Sequence, residues 1–142
     1  MLLERMKKKN TNIVFVYTTC TNKTEARTIA YDSIENRLAV CADFWEIESI
    51  YPWQNAMEDV TQCMLMFTTQ KSLAQKLIAW IERVHPYAVP VIAECDVQIT
   101  TQAYRFWVEE TLEGTGTFLS PEEAIAQRKY EKEGNYHPGK LK

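Results

Sequence analysis

Two prolines enclose the segment His85-Pro-Tyr-Ala-Val-Pro90, and they restrict what both flanks can become. Proline lacks a backbone N–H and turns the preceding residue away from helix, so a helix that reaches His85 ends there. Behind this corner, Leu73, Leu77, Trp80, Ile81 and Val84 fall along one stripe at helical spacing. Ahead of it, Val89 to Val97 is a short apolar run that reads as a strand. Pro90 lies near its start, where a missing donor is tolerated. His85 is one of only two histidines in 142 residues, the other being His137, so imidazole chemistry has few places to occur. By itself it reads as a helix-ending histidine beside a proline and a tyrosine.

The same reading extends along the chain. Ile13 to Thr18 is β-branched and aromatic, a largely buried strand. Asn22-Lys-Thr-Glu25 has the spacing of a capping box, and Ala26, Ile29, Ala30, Ser33, Ile34 and Leu38 follow at helical spacing. Leu38 to Ile47 reads as a second strand, and Tyr51 to Asn55 as the break of a hairpin, since Asn accepts positive φ. Cys63 to Phe67 is a third strand, apolar on both parities, for which both faces are expected to be covered. Met64 and Met66 share one face of it as core filler. Ser72-Leu-Ala-Gln75 predicts a second capping box opening the helix that stops at His85. Thr101 to Leu112 predicts a third helix. Ser120-Pro-Glu-Glu123 predicts the start of a fourth, running to about Glu133 and stopping at Gly134. Ile125 and Tyr130 are its only large apolar side chains.

The order β-α-β-β-α-β-α plus one helix predicts an α+β, ferredoxin-like fold. Two split βαβ units give a four-stranded antiparallel sheet with helices on one face. The other face stays bare, and a bare apolar face predicts association. The expected organisation is a flexible N-terminus over residues 1–11, one domain over 12–113, and an extension over 114–142 with one helix and a frayed tail.

Composition excludes several roles. A formal net charge of -3 gives no footprint for nucleic acid, and Lys7-Lys8-Lys9 reads as a solvated end. No run approaches the roughly 20 apolar residues that span a bilayer. The first six residues lack the apolar core of a signal peptide, so a cytoplasmic protein is expected. Cys20, Cys41, Cys63 and Cys95 lie at least 21 positions apart, with no C-x-x-C pair, and are expected to be buried free thiols. No phosphate loop, G-x-G-x-x-G, nucleophile elbow or H-E-x-x-H is present.

Four motifs in order, Arg37-Leu-Ala-Val-Cys41, Ser49-Ile-Tyr-Pro-Trp53, Phe67-Thr-Thr69 and His85-Pro-Tyr-Ala-Val-Pro90, resemble the CutA divalent-cation-tolerance family. The resemblance covers roughly residues 12 to 112. It implies a tight homotrimer in which the long second and third strands add to a neighbour's sheet. It also implies a cleft between subunits lined by Tyr51, Trp53, Phe67, His85 and Tyr87. Asn55 stands where the family usually has Gly, and Phe67 where it usually has Lys. Ala88 and Val91 replace two acids, and Thr18 replaces a Cys found in some members. Of that implied ligand set only His85 remains, so any copper is expected to bind weakly and through it. No required cofactor is expected.

The function expected from the resemblance is a non-catalytic homotrimer linked to divalent cation, above all copper, tolerance or binding. An alternative is a trimeric module like the PII signalling proteins, sensing a small anion between subunits. A third, an enzyme using His85 and Tyr87 as an acid–base pair, lacks a second titrating group near neutral pH.

Overall fold

The structure is a computed structural model and describes residues 12–128. The expectations for residues 1–11, for the end of the last helix near Glu133, and for Tyr130 and His137 lie outside the described residues. Four strands, β1 (Ile13–Cys20), β2 (Cys41–Trp53), β3 (Ala56–Gln70) and β4 (Ile92–Asp96), form one sheet in the order β2-β3-β1-β4. Every neighbouring pair is antiparallel. The helices are α1 (Lys23–Glu35), α2 (Lys71–Val84), α3 (Gln102–Glu113) and α4 (Pro121–Arg128). This is the ferredoxin-like arrangement.

Strand alternation builds the core. Val14, Val16, Thr18 and Cys20 pair with Thr69, Phe67, Leu65 and Cys63, and all eight side chains are buried on one face. Ala26, Ile29 and Ala30 of α1 and Ala74, Leu77 and Ile81 of α2 close over them. The helix α3 departs from the one-face expectation. Its Val108 packs with Ile13 and Val40, beside Cys41, so it caps one end of the opposite face. Strand β3 is accordingly not covered on both faces: Cys63, Leu65 and Phe67 are buried, while Met64 and Met66 are half-exposed.

Local signals act as their chemistry requires, with one exception. Asn22 caps α1 by accepting from the Glu25 amide at 2.9 Å, and the Glu25 carboxylate accepts from the Thr21 amide at 3.0 Å. Ser120 and Glu123 make the reciprocal pair at the start of α4, at 3.2 and 2.8 Å. The box expected at Ser72 does not form. β3 runs directly into α2 at Lys71, with Gln70 as a cap that makes no side-chain bond. Here the Lys71 amide donates to the Asn12 carbonyl at 2.7 Å, so a neighbouring strand end satisfies a donor that a cap would otherwise take.

The ends of α1 and α3 meet at Arg37. Its φ of 54° is left-handed, and the Arg37 and Leu38 amides donate back to Ile34 and Ser33 in a Schellman closure. A non-glycine residue there costs about 1–2 kcal/mol. The side chain compensates. Its guanidinium donates to the carbonyls of Thr111, Thr115 and Gly116 and lies 4.3 Å above the Phe118 ring. Removing the latch while keeping the strained backbone should therefore be worse than removing both. Arg37→Ala is expected to lower the urea midpoint further than Arg37→Gly, by an amount equivalent to about 1 kcal/mol. Both variants should expose residues 114–119 to limited proteolysis. An Ala variant more stable than the Gly variant would contradict this account.

Candidate functional site

The distinctive feature of the sheet is a length mismatch. β2 has 13 residues and β3 has 15, but β1 has only 8 and pairs no further along β3 than Cys63. Residues 47–53 and 56–62 therefore project as a two-stranded ribbon, closed by Gln54 and Asn55 at φ of 49° and 66°. Both turn residues are left-handed, which is the geometry of a two-residue hairpin whose twist matches its strands. Asn55 thus does what the sequence asked of it. The break, however, is only these two residues: Tyr51, Pro52 and Trp53 belong to β2.

On the face away from α1 and α2, the ribbon presents Ser49, Tyr51 and Trp53 beside Glu58, Val60 and Gln62. The His85–Val91 corner rises beside it and completes a groove of about 710 Å³. His85 holds the corner in place. The residue is 8% exposed, with Nε2 2.8 Å from the Thr19 carbonyl and Nδ1 accepting the Tyr87 amide at 3.1 Å. A carbonyl can only accept and an amide can only donate, so this network requires the neutral ring with its proton on Nε2. Tyr87 stacks at a tilt on that ring, centroids 4.7 Å apart, and its hydroxyl donates to Gln62 Oε1 at 3.1 Å. Burial, foremost, pushes the Tyr87 hydroxyl above its ordinary range, with smaller contributions from Glu25, Cys20 and Tyr51. It stays a donor near neutral pH.

Four of the five expected cleft residues are brought together: Tyr51, Trp53 and Tyr87 line the groove, and His85 supports its wall. Phe67 is a correction. It pairs with Val16 and Ala42 on the helix-covered face, is 0% exposed, and belongs to the core. Ala88 and Val91 do line the groove, so the two missing acids leave an apolar wall, and among the described residues Glu58 is the one acid in the lining. Glu58, Val60 and Gln62 escaped the sequence reading. Alternation continued through the turn from Tyr51 and Trp53 would have placed them on the same face.

A divalent cation does not fit these residues. Both His85 nitrogens are engaged within the protein, so a metal at either one must displace a backbone partner. Among the described residues, no group of three or more His, Cys, Asp or Glu side chains could hold a metal ion. The thiols are free, as expected, but not all are buried: Cys20 and Cys63 are, Cys41 is half-buried and Cys95 is exposed.

Comparison with known proteins bears on this arrangement. Residues 14–111 match the family model described as CutA1 divalent ion tolerance protein. The mouse Protein CutA is 34% identical over 107 residues, which cover 72% of this chain and 60% of the mouse protein. The Divalent-cation tolerance protein CutA of Thermococcus kodakarensis is 32% identical over 101 residues, 71% of this chain and 97% of that protein. The chain therefore spans less than two thirds of the mammalian relative and nearly all of the archaeal one. Among solved structures, CutA of Synechococcus elongatus superposes with a TM-score of 0.71 at 29% identity, covering 72% of this chain and 92% of that one. CutA1 of Ehrlichia chaffeensis gives 0.70 at 28%, covering 73% and 98%.

The histidine network predicts a structural phenotype. His85→Ala leaves the Thr19 carbonyl and the Tyr87 amide without their partner. An unmade buried bond of this kind costs about 1–3 kcal/mol. The variant should unfold at lower urea, and amide exchange should accelerate in residues 85–91. Unchanged stability together with unchanged exchange would mean that helix α2 alone sets this corner.

Proposed function

Because the chain belongs to the CutA1 divalent ion tolerance family, we propose that it serves copper tolerance as a non-catalytic homotrimer. The ribbon carries this reading. Ile50 and Met57 are 68% and 72% exposed on one of its faces, and Tyr51 and Trp53 are 38% and 45% exposed on the other. A two-stranded ribbon that exposes large apolar side chains on both sides is poorly stable alone in water. Seating it against the sheets of two other copies would cover both faces and close the groove into a cleft between subunits. Obligate interfaces of this kind bury about 2,000 Å² or more.

Within the cleft, Tyr51, Trp53 and Tyr87 would receive an apolar or aromatic group, with Glu58 and Ser49 as polar contacts. Among the described residues the lining includes no Lys, Arg or His, which disfavours an anion sensor of the PII type. Copper meeting His85 would have to displace the Tyr87 amide from Nδ1, so binding there would be weak. Four free thiols suit a reducing compartment such as the cytoplasm.

Light scattering at micromolar protein should give three times the protomer mass, and Ile50→Asp with Met57→Asp should give the protomer mass. Deleting the gene in its own host should lower the copper concentration that arrests growth, and re-expressing the intact chain should restore it. A monomeric intact chain would refute the assembly, and unaltered growth across the copper series would refute the tolerance role.

A further inference from the structure

The groove between ribbon and corner brings three aromatic rings to one acid. Tyr51 and Trp53 stand two residues apart on the same face of β2, and Tyr51 pairs directly with Glu58 of β3. Opposed residues in antiparallel strands have Cβ atoms about 4.5–5.5 Å apart, so these two side chains are immediate neighbours. Tyr87 enters from the corner, its hydroxyl fixed on Gln62, which shares the Glu58 face of β3. Tyr51 acts electrostatically on that hydroxyl, so the two phenols lie within reach of each other. Glu58 is half-buried, and its carboxylate has no hydrogen bond or ion pair among the described residues. A carboxylate withdrawn from water in this way carries a desolvation cost that a bound cation would offset. No Lys, Arg or His in the described lining does so.

We propose that Tyr51, Trp53, Tyr87 and Glu58 form a binding site for a methylated ammonium ion, the head group of a small organic cation. Aromatic faces are electronegative and attract a cation, tryptophan most strongly, and the carboxylate sets the sign of the charge accepted. The corner side of the groove decides between kinds of cation. Ala88, Val89 and Val91 offer methyl groups and no polar side chain. An ion with N–H donors on every side would leave some of them unmet against that wall. An ammonium carrying methyl groups has no such donors there and packs against it. The groove, about 710 Å³, is larger than such a head group and leaves room for the rest of the ligand. The inference rests on this groove being the protein's binding cleft and adds the class of ligand; it does not require copper tolerance.

The test titrates the intact chain with tetramethylammonium chloride, ionic strength being held constant with sodium chloride. Binding is read by saturation transfer from the protein to the methyl protons. tert-Butanol, similar in shape and uncharged, is titrated alongside. Binding of the cation should saturate, and the alcohol should bind at least about tenfold more weakly. Tyr51→Phe keeps the ring and should keep the affinity, whereas Tyr51→Leu and Trp53→Leu should each lower it about tenfold. Glu58→Gln should narrow the gap between cation and alcohol. Equal uptake of cation and alcohol by the intact chain overturns the proposal without reference to any variant, and so does undiminished binding in Trp53→Leu. Light scattering on the same samples separates this result from the assembly. A trimeric mass without saturable binding refutes the site alone, and saturable, cation-selective binding at the protomer mass supports the site while refuting the trimer.

Discussion

The structure depends on the mismatch between two long strands and their short neighbour. β2 and β3 pair from Cys41↔Thr68 to Trp53↔Ala56, but β1 leaves the ladder at Cys20. Beyond that rung the ribbon has, among the described residues, neither a third strand nor a helix to rest on, and main-chain pairing alone holds such a hairpin weakly. What steadies it within the protomer is small and specific. Tyr87 reaches from the proline corner to Gln62 at the ribbon's root, and His85 ties the same corner to Thr19 at the end of β1. The groove is therefore less a pre-cut cavity than the gap between a projecting ribbon and a pinned corner. Its shape follows whatever braces the ribbon.

The same mismatch explains which parts of the fold were legible in the sequence. Core segments announce themselves through apolar alternation, and Ile13–Thr18, the α1 stripe and the α2 stripe fall where that pattern places them. The ribbon does not, because neither of its faces enters this protomer's core. Glu46, Glu48, Ser49, Glu58, Asp59 and Thr61 break the apolar runs, so the strands read as ending at Ile47 and beginning at Cys63 while the backbone continues through all of them. Ser72 failed for a different reason. Capping signals describe a helix that starts from a loop, and α2 starts from a strand whose neighbour already supplies a carbonyl to Lys71.

At the site, residue type was legible and direction was not. Trp53, Tyr51 and Tyr87 are large aromatics beside a turn or a proline corner, and they line the groove. Phe67 has the same chemistry but the opposite parity. One step along a strand moves a side chain from groove to core, and only the register with Val16 settles which it occupies. His85 shows the converse. Its chemistry suggested a ligand, yet the elements around it supply one acceptor and one donor, the complement a neutral imidazole needs.

Arg37 carries this logic past the segment shared with the family, which ends at residue 111. A left-handed residue after a helix is ordinarily glycine, because glycine alone adopts that backbone freely. Here arginine takes it. The cost of about 1–2 kcal/mol is smaller than the roughly 1.5–3 kcal/mol that one charge-assisted hydrogen bond contributes, and this guanidinium makes several. Gly114 completes the fit: a Cβ there would stand 3.2 Å from the Arg37 Nη1, so the glycine lets the chain pass close beneath the guanidinium. Local strain at the end of α1 is thus exchanged for a fixed path at the end of α3. The stretch from Thr115 to Phe118 has no regular structure of its own, and the Arg37 contacts set its course toward the capping box at Ser120.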